Sequence, residues 1–292
     1  MSTKYNHRIT RAVIPAAGLG TRLKPLSDAI PKEMLPVGRK PVLAYILEEL
    51  YGAGIRDALF IISDKKPQIR SFFGDEYCIQ ANTDNIISCQ YVTQEEQHGL
   101  GDAILRAEKW VDDDPFVVAF GDCIIEAPVP SDPMRRMIDT FVDQKCGAAV
   151  ICEAVSWRNV SRYGVLSPEI KLNEYPDRPF AVADIVEKPT QESAPSNLVV
   201  AARYVLSPLI FELLHKSGRD VRGELNVTDS VRAMRMLGSP LWAVPLLKGE
   251  SRRDIGNFES FFNAFIQTAM NDPEFGASAR KAAEDTLSEF SK

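Results

Sequence analysis

The sequence has no apolar run of the roughly 18 residues that a membrane-spanning helix requires. Its first ten residues are polar and contain no apolar signal core. The five cysteines are an odd number and show no Cys-x-x-Cys spacing, so we expect reduced thiols and neither a disulfide framework nor a zinc site. These absences predict a cytoplasmic protein that does not associate with membranes.

Positive charge is also scarce. The 34 lysines and arginines are outnumbered by 40 aspartates and glutamates, which gives a formal net charge of −6. General nucleic-acid binders are more often basic, so we do not expect nucleic acid as a partner. Small anionic ligands remain compatible with this balance because they need only local positive charge.

The first half of the 292-residue chain alternates between apolar strand-like runs and helical patterns. Strands are predicted at residues 11–16, 57–63, 86–92, 115–120 and 147–152, and helices at 41–52, 66–73, 101–111 and 132–145. This alternation predicts an α/β fold with a Rossmann-like, mostly parallel mixed sheet and helices on both faces. In such sheets ligands bind beyond the carboxyl ends of the strands, so the loops after strands are the candidate site.

After residue 152 the pattern changes to short extended pieces separated by loops that contain Pro, Asn and Asp. Strands are predicted at 164–167, 181–186, 199–206 and 241–246, and helices at 208–215, at about 228–237 and twice within 257–292. Neither a repeat nor a flexible linker is visible. We therefore expect one domain over 1–292, with halves of about 9–152 and 153–256, a cleft between them, and C-terminal helices at 257–292.

The segment after the first predicted strand is the most informative. Gly18 and Gly20 allow positive φ and a close approach of backbone N–H groups to phosphate oxygens. Arg22 adds a guanidinium suited to phosphate, and Lys32 follows shortly after it. The dinucleotide fingerprint lacks its third glycine, and the Gly-Lys-Ser/Thr end of a P-loop is absent. An NAD-binding oxidoreductase is therefore a weak interpretation.

Gly-Leu-Gly-Thr-Arg at 18–22, followed by Pro-Lys-Glu-Met-Leu-Pro at 31–36, resembles the sugar-1-phosphate nucleotidylyltransferases. The second motif is most similar to that of the bacterial UTP–glucose-1-phosphate uridylyltransferases, and the resemblance covers roughly residues 11–270. It implies a nucleotidyltransferase (glycosyltransferase-A-like) fold with a nucleotide-binding first half and a sugar-binding second half. It also implies Mg²⁺-dependent transfer of a uridylyl group from UTP to glucose 1-phosphate, and a homodimer or homotetramer.

The resemblance assigns residues to the nucleotide. In Gln-Glu-Glu-Gln-His-Gly-Leu-Gly-Asp-Ala at 94–103, it places Gln94 and Gly99 against uracil, whose imide edge a glutamine amide can match. Uridylyl enzymes more often have histidine where this chain has Asp102. The nucleotide-binding residues that it implies are Ala16, Ala17, Gly18, Gly20, Thr21, Gln94 and Gly99.

Two aspartates are the implied metal ligands. Asp122 follows a predicted strand in Phe-Gly-Asp, and Asp254 lies in Arg-Asp-Ile-Gly-Asn. The resemblance places the two carboxylates side by side, where phosphate oxygens and water would complete a Mg²⁺ site. It makes Arg22 and Lys32 the stabilisers of departing pyrophosphate. With Lys188, which would hold the attacking phosphate, these form the implied catalytic set.

The sugar phosphate is assigned to the second half. The resemblance implies contacts from Gly164, Glu187, Lys188, Asn197 and Arg203. Residues 223–229, Gly-Glu-Leu-Asn-Val-Thr-Asp, are interpreted mainly as a structural loop and helix cap, with the lining of the sugar site as a second interpretation.

Three departures from the uridylyl pattern leave related activities open. They are Phe-Gly-Asp in place of Leu-Pro-Asp, Asp102 in place of histidine, and a short connection at 74–88 in place of a longer helical insert. Transfer from dTTP, CTP or ATP, or to another sugar 1-phosphate, is the alternative within the same class. A non-catalytic nucleotide-sugar sensor is the alternative from another class, but such a protein is expected to lack a charged catalytic residue.

Overall fold

Strands and helices alternate along the first half of the computed structural model, which describes residues 8–79, 84–171, 175–220 and 223–290. The strands are β1 (Arg11–Pro15), β2 (Pro36–Val37), β3 (Lys40–Pro41), β4 (Asp57–Ile62), β5 (Glu76–Cys78), β6 (Ile86–Thr93), β7 (Phe116–Ala119), β8 (Cys123–Glu126), β9 (Ala148–Ala154), β10 (Gly164–Pro168), β11 (Phe180–Glu187), β12 (Leu198–Leu206), β13 (Leu241–Pro245) and β14 (Ser251–Asp254). The helices are α1 (Leu26–Ala29), α2 (Val42–Gly52), α3 (Pro67–Phe73), α4 (Leu100–Leu105), α5 (Glu108–Val111), α6 (Asp132–Asp143), α7 (Leu209–Lys216), α8 (Val227–Met236), α9 (Phe258–Met270) and α10 (Gly276–Phe290).

Ten strands form one mixed sheet in the order β10-β11-β13-β9-β12-β7-β1-β4-β6-β5. Strands β7, β1, β4 and β6 are parallel neighbours, and β13 is parallel to β9. The other neighbouring pairs are antiparallel, so "mostly parallel" holds for the first half and not for the second. Between β9 and β12 the described residues contain no α-helix to serve as a crossover, and antiparallel strands need none.

Both faces of this sheet are covered, which confirms the predicted α/β class. Along β1, Ala12 and Ile14 join one hydrophobic cluster, with α2 and α6, while Val13 joins a second cluster, with α4, α7 and α8. This alternation follows from the two-residue period of a strand. Central strands buried on both sides therefore read as continuous apolar runs.

The structure corrects the predicted helix at 101–111 and adds strands. The backbone N–H of Ala107 donates to Ile104, a tighter step that separates α4 from α5. Strands β2, β3, β5, β8 and β14 were not predicted, and β14 pairs with β8 in a separate two-stranded sheet. The division into a single domain with two halves stays a prediction. Parts of it lie outside the described residues, namely 1–7, 291–292 and, within the short 74–88 connection, 80–83. In the described part of the chain, no helix is both long and apolar enough to span a bilayer.

Candidate active site

A cavity of about 290 Å³ is lined by residues from both halves of the chain. It lies beyond the carboxyl end of β7, where the α/β pattern places ligands. Six of the predicted site residues line it: Arg22, Asp122, Gly164, Glu187, Lys188 and Asp254. The structure thus brings together residues that are distant in the sequence.

The two aspartates meet because β8 and β14 pair. In this antiparallel pair Asp254 lies opposite Cys123, and the backbone N–H of Ile255 donates to the carbonyl of Asp122 at 2.9 Å. Burial raises the pKa of Asp254, and the negative charge of Asp122 raises it further. Burial also acts to raise the pKa of Asp122, but the ammonium of Lys32, hydrogen-bonded to Oδ2, lowers it below its ordinary value.

This carboxylate pair fits a magnesium ion in the chemistry of its donors. Mg²⁺ prefers oxygen ligands and is commonly held by one or two carboxylates plus substrate phosphates. Among the residues that the structure describes, no group of three or more His, Cys, Asp or Glu side chains could hold a metal. Asp122 already attracts one cation, the Lys32 ammonium. A metal here would therefore depend on phosphate oxygens and water for its remaining ligands.

The glycine loop curls over Lys32. Gly20 has φ of 64°, and Ser27 Oγ donates to its carbonyl oxygen at 2.9 Å. A Cβ added at Gly18 would lie 3.9 Å from Lys32 Nζ, so the ammonium lies between this loop and Asp122. Arg22 extends from the same loop into the cavity wall. Roles for Ala16, Ala17, Gly18, Gly20 and Thr21 in nucleotide binding stay predictions.

On another part of the wall, Glu187 is the last residue of β11 and Lys188 follows it directly. Glu187 Oε2 accepts a hydrogen bond from Thr228 Oγ1 at 2.7 Å, and Oε1 pairs with Lys188 Nζ at 2.9 Å. Lys188 has φ of 46°, in the left-handed region that non-glycine residues rarely adopt. Gly164 faces Glu187 across β10 and β11, and a Cβ there would come within 3.3 Å of Thr228 Oγ1. The wall thus combines an acceptor, a cation and a position without a side chain.

Arg203 lies away from the cavity. It was predicted to contact the sugar phosphate, but it is fully buried in β12 and does not line the cavity. Its Nη2 donates to Glu49 Oε2 at 2.7 Å and to the carbonyl of Cys123 at 2.8 Å. A guanidinium inside a sheet needs such partners because an unpaired buried charge is very costly. Arg203 is therefore structural.

Asn197 also lies away from the cavity. Its Nδ2 donates to the carbonyl of Val155 at 3.0 Å, next to the start of β12. It lines a different cavity, of about 510 Å³, on the outer side of β10. The prediction of a sugar-phosphate contact is therefore not supported by its position.

Gln94 and Gly99 form an internal network rather than an open surface. Gln94 is 3% exposed, and its Nε2 donates to Asp102 Oδ2 at 2.7 Å and to the carbonyl of Gly99 at 3.3 Å. Neither Gln94 nor Gly99 lines the cavity, although Leu100 does. The aspartate that departs from the uridylyl pattern is thus the partner of the predicted base-reading amide.

Arg252 lines the cavity and was not predicted from the sequence. Arg252 pairs with Glu153 at 2.5 Å, and its guanidinium stacks 4.6 Å from the ring centroid of Tyr163. Asn226, predicted as part of a helix cap, is the N-cap of α8 and also lines the cavity. The only signal for Arg252 in the sequence is its position two residues before Asp254. An arginine at such a position is equally compatible with an exposed surface residue.

The chain matches the family described as Nucleotidyl transferase over residues 11–271. It is 36% identical over 278 residues to the UTP–glucose-1-phosphate uridylyltransferase of Mycoplasma pneumoniae, and the alignment covers 90% of this chain and 93% of that protein. Its fold is similar to that of a UTP-bound UGPase from Acinetobacter baumannii, with a TM-score of 0.83 and 28% identity over 94% of this chain and 99% of the other. It is also similar to a UDP-glucose pyrophosphorylase complexed with UDP-glucose, with a TM-score of 0.80 and 31% identity over 91% and 100%. On the strength of these similarities and of the site that both halves build, the chain belongs to the nucleotidyl transferase family.

Proposed function

We propose that the protein transfers the uridylyl group of UTP to glucose 1-phosphate, giving UDP-glucose and pyrophosphate. The observation that carries the proposal is one cavity with the Asp122–Asp254 pair and Arg22 on one wall and Glu187 and Lys188 on the other. Relatives named for this reaction align with most of the chain, which supports the choice of substrates.

The reaction does not require a general acid or a general base. An oxygen of the sugar phosphate attacks the α-phosphorus of UTP and forms a new P–O bond, while the bond to the β-phosphate bridging oxygen breaks. The electron pair leaves with pyrophosphate. Since the attacking oxygen is already anionic near neutral pH, no general base is needed, and catalysis depends on alignment and neutralisation of charge.

The cationic side chains divide between the two substrates. Lys188, held in a left-handed backbone conformation beside Glu187, binds the attacking phosphate. Lys32 and Arg22 lie by the glycine loop and stabilise the negative charge that builds on pyrophosphate. Glu187 accepts hydrogen bonds from sugar hydroxyls.

Asp122 and Asp254 would hold Mg²⁺, which when bound neutralises phosphate charge between the two substrates. The pairing of β8 with β14 keeps the two carboxylates adjacent before any substrate arrives. Lys32, which pairs with Asp122, supplies positive charge at the same place. The donor set is the reason for choosing a hard, oxygen-preferring cation.

We assign base selection to Gln94, although it is 3% exposed and does not line the 290 Å³ cavity, so the base must reach this amide from outside that cavity. Because Asp102 and the Gly99 carbonyl both accept from Nε2, the amide is fixed with Oε1 as its remaining group. An acceptor matches the N3–H of uracil and is repelled by the unprotonated N3 of cytosine. It does not sense the 5-methyl group, so dTTP is the second candidate donor.

The experiment is pyrophosphate release with glucose 1-phosphate and Mg²⁺, comparing UTP, dTTP, CTP, ATP and GTP. Preference for UTP supports the proposal. Equal use of dTTP would support the second candidate, and preference for CTP or a purine would contradict the role of Gln94. No release with any of the five would refute the proposed substrates and favour another sugar 1-phosphate or a sensor.

We also infer a cytoplasmic homodimer or homotetramer. Exposed aromatic and aliphatic side chains on α9, namely Phe262, Phe265 and Ile266, are the surface that a second copy would cover. Light scattering after gel filtration measures the assembly, and a monomer at micromolar concentration would contradict it.

A further inference from the structure

A buried ion pair lies under the candidate active site. Lys66 Nζ donates to Glu33 Oε2 at 2.7 Å and to Oε1 at 2.9 Å. The two residues are 6% and 1% exposed, and neither lines the 290 Å³ cavity. Glu33 and Lys66 are therefore outside the wall of that cavity, although Lys66 lines a separate cavity of about 260 Å³ with Thr21 and Lys24, and the function proposed above assigns neither residue a role.

This pair joins the backbone segments that carry the charged site residues. Lys66 Nζ also donates to the carbonyl of Ala16, at 2.7 Å, where β1 enters the glycine loop. Glu33 is the neighbour of Lys32 in one short 3₁₀ turn. A Cβ at Gly121, the neighbour of Asp122, would lie 3.2 Å from Glu33 Cγ. One ion pair thus contacts the glycine loop, the turn of Lys32 and the turn of Asp122.

Hydrophobic packing could join these segments without the free-energy cost of removing two charges from water. Two charges removed from water lose hydration, and replacing a buried ion pair with apolar residues often leaves stability unchanged or improved. Apolar residues cannot supply a directional contact: the Ala16 carbonyl needs a donor, and the Glu33 carboxylate holds the Lys66 ammonium that provides it. The ion pair therefore suits a site in which position matters more than stability.

The charges also alternate across the site. Asp122 pairs with Lys32, and the adjacent Glu33 pairs with Lys66. Glu33 therefore offers the Lys32 ammonium a second neighbouring negative charge without bonding to it. This arrangement leaves Lys32 hydrogen-bonded to Asp122 while its backbone is held from the other side.

We propose that Glu33 and Lys66 are positioning residues, which hold the glycine loop and Lys32 in the geometry that receives the pyrophosphate end of the nucleotide. The proposal rests on the proposed function, because it gives Lys32 its role. A displacement of about 1 Å in an aligned site can reduce turnover roughly a hundredfold. A purely structural ion pair would instead affect turnover only through the folded fraction.

The test uses Lys66→Met and the double variant Glu33→Leu/Lys66→Met, which leaves no unpaired charge in the interior. The matched control is Arg136→Met, since Arg136 pairs with Glu250 at 2.5 Å and donates to the carbonyl of Pro245 at 3.0 Å, away from the cavity. Melting temperature, kcat and KM for UTP, and the affinity for inorganic pyrophosphate with Mg²⁺ by calorimetry are measured for each.

We expect Lys66→Met to lose both melting temperature and turnover, with kcat falling roughly ten- to a hundredfold. The double variant should recover the melting temperature while kcat and pyrophosphate affinity stay low. Arg136→Met should lose melting temperature and keep kcat. A double variant with wild-type kcat and pyrophosphate affinity would overturn the proposal.

The calorimetric measurement separates this proposal from the proposed function. If the wild-type chain releases no pyrophosphate from UTP, the proposed substrates fail, and the pyrophosphate affinities of the variants still decide whether Glu33 and Lys66 position the loop. A wild-type chain that binds no pyrophosphate at all would overturn both.

Discussion

Replacing Arg203 with methionine separates a structural role from a substrate contact. In the folded protein the guanidinium satisfies Glu49, the carbonyl of Cys123 and the carbonyl of Ala202, at 2.7, 2.8 and 3.1 Å. Methionine fills most of the space but donates nothing. The Glu49 carboxylate, 6% exposed, is then left buried without its cation.

The expected loss follows from this unpaired charge. Removing one partner of a buried ion pair costs about 3–5 kcal/mol of unfolding free energy. At roughly 2 °C per kcal/mol for a chain of this size, the melting temperature should fall by about 6–10 °C. The double variant Glu49→Leu/Arg203→Met leaves no charge behind and should recover most of the loss.

The assay pairs calorimetric melting with the KM for glucose 1-phosphate. We expect the KM of folded Arg203→Met to stay within about twofold of wild type, because the side chain does not line the cavity. A tenfold rise in that KM with an unchanged melting temperature would refute the argument. It would mean that the strand opens to present the guanidinium to substrate.

Three further outcomes follow from the site. Asp122→Asn should abolish Mg²⁺-dependent turnover while far-ultraviolet circular dichroism stays native, and activity within tenfold of wild type would reject the metal role. Lys188→Met should raise the KM for glucose 1-phosphate at least tenfold with little change in the KM for UTP, because Lys188 pairs with Glu187 and the proposed function assigns both residues to the sugar phosphate. An equal rise in both KM values would contradict that assignment. Burial and Asp122 raise the pKa of Asp254 above 3.8, so the folded state loses stability as pH rises from 3.8 through the raised pKa. Without Mg²⁺, Asp254→Asn should therefore gain stability relative to wild type across that window, and a pH-independent difference in unfolding free energy would contradict this.

The sequence predicted best what is local. The run into Gly18 and Gly20 and the strand before Asp122 were recognisable because strand and turn chemistry are encoded within a few residues. The overall α/β class followed from the alternation of these elements and is confirmed.

What the sequence could not predict depends on partners that are distant along the chain. Arg203 matched a motif, yet its role is decided by Glu49, which lies on α2. A signal was available at Arg203, which is a lone charge within an otherwise apolar run and so needs a buried partner, whereas Glu49 follows Glu48 and gives no such signal. Gln94 matched the base-reading position, but the orientation of its amide depends on a hydrogen bond to Asp102. That contact forms only in the folded loop, so the sequence alone does not predict it.

The small β8–β14 sheet is important for the candidate site because it places Asp254 next to Asp122. The pKa of Asp254 is raised first by burial and then by the charge of Asp122, so the ionised carboxylate is unfavourable in the folded protein and part of that cost is repulsion by Asp122. The backbone bonds of the β8–β14 pair, with the Ile255 N–H on the Asp122 carbonyl, hold the two together against that repulsion. Repulsion of this kind is relieved when a cation lies between the carboxylates, and Lys32 relieves part of it already. The β8–β14 pair therefore favours a cation between these two carboxylates, at the place where the proposed reaction would bring two phosphates together.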